Sequence, residues 1–235
     1  MSVFKSALSE GAAELGFGIS DVTADTLDKY RLYLSEKNKE LNLTAVEGEL
    51  ELAQRHFLDS LSLLPCTDFK DKRVIDIGTG AGFPGLPLKI AVPSIDLTLL
   101  DSIGKKVDFL NSLCSQLSVN ASCIQGRAED LSHLSGMRAA FDIAVSRALA
   151  RLNILSELCL PFVKTGGLFL AMKAKDYKEE LAEAERGITL LGGTLERVYD
   201  YCIAGVERSV IIIRKSGETP DAYPRRFAKI QKSPL

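Results

Sequence analysis

The sequence predicts an α/β protein, with a helical amino-terminal segment followed by a doubly wound, mainly parallel sheet carrying helices on both faces. Three observations support this. After Lys72, short β-rich runs alternate with helical stretches. The first of these runs leads directly into a glycine-rich loop, "GTGAGFPG". The last two runs are joined only by "IAGVE", too short for a parallel crossover, so they should pair antiparallel. With 235 residues, 46% hydrophobic and 26% charged, the chain has the composition of an ordinary globular protein and room for one large α/β domain with an extra segment.

In chain order, Leu27, Tyr30 and Leu34 mark one face of a helix. Thr44 with Glu47 reads as a capping box that opens a second helix over roughly 45–64. Pro65 and the polar "TDFKDK" close this all-helical segment, residues 1–68. The main domain, 69–215, contains seven β-runs: "RVIDIG", "DLTLLD", "ASCIQG", "FDIAVSR", "GLFLAMKA", "TLERVYDYC" and "RSVIIIRK". Helical stretches between them include "LPLKIAV", "GKKVDFLNSLCSQL", "LNILSELCL" and "YKEELAEAERGITLLG". Residues 216–235, with Pro220, Pro224 and Pro234, read as a mostly irregular tail.

The net charge of −2 argues against a surface coated with basic residues. Its distribution is uneven: residues 214–235 hold six basic side chains against two acidic ones. That tail is either an electrostatic handle for a phosphate backbone or simply solvated. The amino terminus lacks a secretory pattern and no apolar run approaches the ~18 residues of a membrane span, so a cytoplasmic protein without membrane contact is expected. Cys66, Cys114, Cys123, Cys159 and Cys202 lie far apart without CxxC spacing or a nearby histidine. They are expected to be buried free thiols, with no metal site.

The glycine loop admits three readings. Gly80, Gly82 and Gly85 satisfy the G-x-G-x-x-G dinucleotide fingerprint, which would make the chain an NAD- or FAD-dependent oxidoreductase. A purely structural turn is the second reading. The third rests on Asp76, two residues before Gly78 in D-x-G-x-G-x-G. A carboxylate there would repel a pyrophosphate and favour the ammonium and sulfonium of S-adenosyl-L-methionine. Pro84 suits the first turn of the following helix, and Asp101, at the end of the second β-run, can accept hydrogen bonds from ribose hydroxyls. The Asp-led loop favours the S-adenosylmethionine reading. An antiparallel last strand suits a methyltransferase sheet better than an all-parallel dinucleotide one, by analogy of fold.

These segments together resemble a known family. "LNLTAV", "RHFLDSL", "DIGTGAGFPGLPLKI", "LLDSIGKKVDFL", "GRAED", "VSRALA" and "YPRRFAKIQKSPL" follow one another as in the bacterial small-subunit ribosomal RNA guanine-N7 methyltransferases often called glucose-inhibited division protein B. The resemblance spans nearly the whole chain. It departs at Ala81, where many members have proline, and at Ala228 and Ile230, where a glycine and a proline are common. It implies a Rossmann-like class I S-adenosylmethionine-dependent methyltransferase fold. It also implies methylation of N7 of the guanine at position 527 of 16S ribosomal RNA, near the decoding centre, with the small ribosomal subunit as partner. Cofactor contacts carried over by the resemblance are Gly78, Phe83, Ala128, Glu129 and Arg147, which join Asp76, Gly80, Gly82 and Asp101 from the loop. Read alone, Phe83 is equally a core aromatic and Glu129 an exposed helix cap.

Guanine N7 carries a lone pair and no proton, so this chemistry needs no general base and can rest on alignment and electrostatics. Arg147 and Lys173, at the ends of the fourth and fifth β-runs, are the catalytic candidates, Lys173 by holding RNA phosphate. Lys105, Lys106, Arg151, Lys175, Arg225 and Arg226 are RNA-binding candidates; for Lys105 and Lys106 a solvated surface is the equal alternative. His56 is expected to pack the helical segment against the domain and His133 to sit in a loop. A monomer suffices. The competing functions are a methyltransferase for another RNA or a small molecule, a nicotinamide-dependent oxidoreductase, and a non-catalytic RNA-binding module.

Overall fold

A computed structural model describes residues 2–235. The amino-terminal helices are α1 (Val3–Glu14) and α2 (Asp21–Leu41), capped by the hydroxyls of Ser2 and Ser20, followed by α3 (Glu49–Leu52). The next helical stretch widens into a π segment, Ala53–Leu58, before α4 (Asp59–Leu61). The sheet domain runs β1 (Arg73–Ile77), α5 (Gly85–Ala91), β2 (Asp96–Asp101), α6 (Gly104–Leu117), β3 (Ser122–Gln125), α7 (Ala128–Leu131) and β4 (Phe141–Arg147). It continues with α8 (Leu152–Cys159), β5 (Val163–Ala174), α9 (Lys178–Leu190), β6 (Gly193–Ile203), β7 (Val206–Lys215) and α10 (Phe227–Lys232).

The strands form a single sheet in the order β3-β2-β1-β4-β5-β7-β6. β1 to β5 are parallel to one another, and β7 inserts antiparallel between β5 and β6. Both faces are covered, so the inner strands are continuously apolar and their alternation only sorts side chains between two cores. Ile143, Leu170 and Ile212 face one core, together with Phe4, Leu27, Tyr30 and Phe57 of the amino-terminal helices. Ala144, Phe169 and Ile211 face the other, together with Leu155 of α8, Ile188 of α9 and Ile230 of α10. The helical segment thus shares a core with the sheet.

Three expectations change. The second helix begins at Glu49, behind Gly48, so Thr44 is not its cap. Its hydroxyl instead accepts from the Val46 N–H at 3.0 Å and lies 2.6 Å from His56 Nε2, a local bond that competes with helix entry. The tail contains α10, and Ile230 is fully buried. Of the thiols, Cys66, Cys114 and Cys159 are buried, Cys123 is half-buried and Cys202 is exposed. Among the described residues no helix is long and apolar enough to cross a membrane.

Candidate active site

The glycine loop sits at the carboxyl edge of β1, where ligands of open α/β sheets bind. Two of its positions demand glycine. Gly78 has φ +73°, and a Cβ there would lie 2.7 Å from Leu149 Cδ1. Gly82 has φ +104°, and a Cβ there would lie 2.5 Å from the Tyr30 hydroxyl. That hydroxyl donates to the Ala81 carbonyl at 2.5 Å, tying α2 to the loop.

Asp76 holds the loop from beneath. Its Oδ2 accepts from the Thr79 hydroxyl at 2.7 Å and the Gly85 N–H at 2.8 Å. The residue is fully buried, which pushes its carboxyl up to about 6 despite those two donors. Asp101 holds the loop from the side: Oδ2 accepts from the Gly80 N–H at 2.9 Å, and Oδ1 from the Ile103 N–H at 3.0 Å. Lys106 Nζ lies 3.7 Å from Asp101 Oδ2.

In front of the loop is a cavity of about 260 Å³, lined by Gly78, Asp101, Ile103, Ala128, Glu129 and Leu149 among others. Ala148, at the end of β4, belongs both to this cavity and to a second of about 270 Å³. The second is lined by Asp59, Arg147, Met172, Lys173, Tyr201 and Arg208. Tyr201 and Arg208 in turn border a wider opening of about 640 Å³ that reaches Lys175 and Lys178. The three spaces follow one another along the sheet edge.

Asp59 is the hub of the second cavity. Although 1% exposed, it accepts from Arg147 Nη1 at 2.8 Å on Oδ2 and from the Tyr201 hydroxyl at 2.8 Å on Oδ1, and the Arg208 guanidinium pairs with it by charge, Nε lying 3.3 Å from Oδ1. Burial, and then the Asp59 charge, raise the Tyr201 phenol well above its ordinary range, so it remains a donor. Arg147 also donates to the Arg55 carbonyl at 3.1 Å, a carbonyl of the π segment, and lies over the Phe83 ring at 5.1 Å. π segments often mark functional sites, and this one turns Arg55 and His56 toward β4. Burial, and then the Arg147 charge, lower His56 to about 4. A neutral imidazole beside a guanidinium is a structural partner.

Comparison with known proteins agrees with this geometry. The sequence model of the GidB family, described as rRNA small subunit methyltransferase G, matches residues 23–210. A ribosomal RNA small subunit methyltransferase G of Alkaliphilus oremlandii is 44% identical over 235 residues, covering 98% of each chain. The chain belongs to the rRNA small subunit methyltransferase G family. A second family member, from Pelotomaculum thermopropionicum, is 43% identical and covers all of both chains. Among solved structures, M. jannaschii TYW2 in complex with AdoMet aligns with TM-score 0.56 at 13% identity, over 69% of this chain and 77% of that one. A Geobacter metallireducens precorrin-6y C5,15-methyltransferase aligns with TM-score 0.51 at 14% identity, over 68% and 87%. At such identities the likeness concerns the fold, which is that of the class I S-adenosylmethionine-dependent methyltransferases.

This methyltransferase brings Gly78, Asp101, Ala128 and Glu129 to the first cavity. Gly80 acts through its N–H on Asp101. Asp76, Gly82 and Phe83 lie behind the loop and do not line it. Asp76 shapes the loop backbone from the core through Oδ2. Phe83 is a packed aromatic, 5.2 Å from Tyr30 and Phe57 and 4.8 Å from His56. Arg147 belongs to the second cavity.

The basic candidates divide by their partners. Lys173 lines the second cavity already engaged: its ammonium donates to the Ala150 carbonyl and pairs with Glu180, both at 2.7 Å, which ties down the loop after β4. Arg225 forks onto Glu157, itself fully buried, through Nε at 2.8 Å and Nη2 at 2.6 Å, and is a tail anchor. Lys106 faces the first cavity and Asp101. Lys105 and Arg226 are exposed. Arg151 and Lys175 make exposed ion pairs with Glu183 and Glu207, which cost little to exchange for phosphate.

Asp59, Tyr201 and Arg208 were absent from the sequence-based site. Asp59 stands four residues after Arg55, a spacing that points to a local helical pair, whereas its partner Arg147 lies 88 residues away. Tyr201 and Arg208 face each other across the β6–β7 hairpin, three residues either side of its two-residue turn Ala204-Gly205. A five-residue connection would have set Cys202 opposite Arg208; the strands instead run on through Ile203 and Val206, which shifts the register by one residue.

Proposed function

We propose that this chain transfers the methyl group of S-adenosyl-L-methionine to N7 of a guanine in 16S ribosomal RNA, the first cavity holding the cofactor and the second the base. The reading rests most on the juncture at Ala148, where a glycine-loop cavity opens beside a cavity walled by two arginines and a carboxylate. Gly78, at a φ closed to larger residues, lets backbone approach the cofactor, and Asp101, Ala128 and Glu129 stand where its ribose and adenine would lie. The bound cofactor supplies an electrophilic methyl on sulfur.

The chain's own residues position the acceptor. In the transfer the N7–carbon bond forms from the nitrogen lone pair, the sulfur–carbon bond breaks, and positive charge moves onto the guanine ring. No proton leaves N7, so no side chain must act as a base. A ring gaining positive charge is disfavoured by bare guanidinium groups, and Asp59 offsets Arg147 and Arg208 at that wall. Arg147 and Arg208 can then orient the base edge or its phosphate. Lys173 holds the Ala150 backbone beside the shared Ala148. Arg151, Lys175, Lys105 and Arg226 are the remaining candidates for phosphate contact. A single-module enzyme needs no second copy, so a monomer suffices, working in the cytoplasm where its RNA is.

The deciding experiment is transfer of labelled methyl from S-adenosylmethionine to small ribosomal subunits from cells lacking this protein, mapped by N7-specific strand cleavage. Label at one 16S guanine near the decoding centre is the expected result. Cofactor binding without label would move the acceptor to another RNA or a small molecule.

A further inference from the structure

The cavity assigned to the cofactor has a wall that neither the glycine loop nor the strand ends provide. Phe227, the first residue of α10, lines it beside Ile103, Arg127, Ala128, Glu129 and Leu158. It is the only aromatic side chain among the described residues lining that cavity. Arg127 lies over its ring, 5.7 Å from the centroid, which orients the ring against the segment after β3.

This placement is enforced. Arg225, two residues before Phe227, is held by the buried Glu157 of α8 through its side chain and through its backbone N–H at 2.8 Å. Arg138 donates to the carbonyls of Tyr223 at 2.9 Å and Thr219 at 2.7 Å. His133 Nε2 lies 3.0 Å from the Pro224 carbonyl, and Ile230 is fully buried in the core beneath α8. A solvated basic tail would need none of these anchors. They fix the backbone on both sides of one half-buried phenylalanine.

We propose that Phe227 is a cofactor-binding residue, the aromatic wall of the adenine subsite, and that the segment from Thr219 to Ile230 is built to carry it there. The proposal rests on the cavity's assignment to S-adenosylmethionine. Adenine is the one flat π surface of that ligand, and the apolar lining that Ile103, Ala128 and Leu158 provide beside Phe227 suits it. Stacking an adenine on a phenyl ring uses a face that every other lining residue lacks. The tail's role is then affinity for the methyl donor, and its net positive charge is largely consumed in anchoring and capping.

The test is titration calorimetry with S-adenosylmethionine on the full chain, comparing wild type, Phe227→Ala, Phe227→Tyr and, as a surface control on the same helix, Gln231→Ala. Phe227→Ala should bind roughly tenfold more weakly, the loss expected for one base–aromatic stack. Phe227→Tyr and Gln231→Ala should bind like wild type. In steady state Phe227→Ala should raise KM for the cofactor while leaving kcat and KM for RNA unchanged. Unchanged affinity in Phe227→Ala, with wild type binding normally, would overturn the role of the tail alone. A loss in Phe227→Tyr equal to that in Phe227→Ala would overturn stacking as its basis. Absence of saturable binding to wild type would overturn the cavity's assignment, and the proposal with it.

Discussion

Removing the guanidinium of Arg225 should damage the fold and spare RNA affinity. Its partner Glu157 is fully buried, and the pair is bidentate, with Arg225 Nε on Oε1 at 2.8 Å and Nη2 on Oε2 at 2.6 Å. In Arg225→Ala the carboxylate keeps only the backbone N–H of residue 225. Breaking a buried pair by deleting one partner costs about 3–5 kcal/mol, because a charge remains without compensation. For a chain of this length each kcal/mol is worth roughly 2–4 °C, so the melting temperature should fall by about 10 °C. If the tail peels away before the body unfolds, the loss is capped at the docking energy, and the change appears as rapid tryptic cleavage after Arg226 or Lys229. Replacing both partners, Arg225→Met with Glu157→Leu, should recover most of the stability. Differential scanning fluorimetry and limited proteolysis read both outcomes. An unchanged melting temperature and unchanged proteolysis, with RNA affinity reduced and its salt dependence shallower by about one phosphate contact, would refute this reasoning and return Arg225 to the RNA interface.

Two further outcomes follow from the buried polar groups. Burial and Arg147 hold His56 at about 4 in the folded chain against an ordinary 6.5, so the unfolded chain binds more protons between those values. The stability tied to His56 is therefore complete above about pH 6.5 and lost as pH falls toward 4, on the order of 3 kcal/mol in all. Urea midpoints at pH 7 and pH 4.5 should converge in His56→Gln relative to wild type, and parallel shifts in the two proteins would contradict it. Asp59→Asn removes the charge that holds Arg147, Tyr201 and Arg208 together. Single-turnover methylation should slow about a hundredfold, the scale of a ~1 Å misplacement, while cofactor affinity measured by calorimetry stays within about threefold. A rate within a few-fold of wild type would remove Asp59 from acceptor positioning.

The sheet was legible because its signals are local. Each β-run is apolar over a few residues and bounded by polar breaks, and the five residues of "IAGVE" alone forced β6 and β7 to run antiparallel. The glycine loop was legible for the same reason, and Asp101 stands where the end of β2 placed it. What stayed hidden depends on partners distant in sequence. Nothing near Asp59 announces Arg147, and nothing near Arg225 announces Glu157, 68 residues away. Charge assigned Arg225 to nucleic acid, and position at a strand end made Arg147 a catalytic and cofactor candidate, but neither reading named its partner. Asp76 shows the limit of electrostatic reading without depth: its carboxylate was placed correctly along the chain, but it points into the core, where it orders Thr79 and Gly85. Phe227 and Ile230 have helical spacing, but six residues of α10 are too few for periodicity to stand out among the tail's prolines.

The insertion of β7 between β5 and β6 also bears on the order in which competence arises during folding. β7 pairs with β5 along seven residues, Leu168 to Ala174, and until it does so β5 presents an unpaired, apolar edge of the kind that recruits other chains. The glycine loop and Asp101 need only β1 and β2, neighbours in sequence and in space. The wall containing Tyr201 and Arg208 needs the hairpin docked onto a strand made some thirty residues earlier, a contact of higher closure cost. An intermediate lacking the hairpin would have the cofactor loop formed and no acceptor wall. Protection against aggregation and closure of the second cavity therefore arrive in the same step.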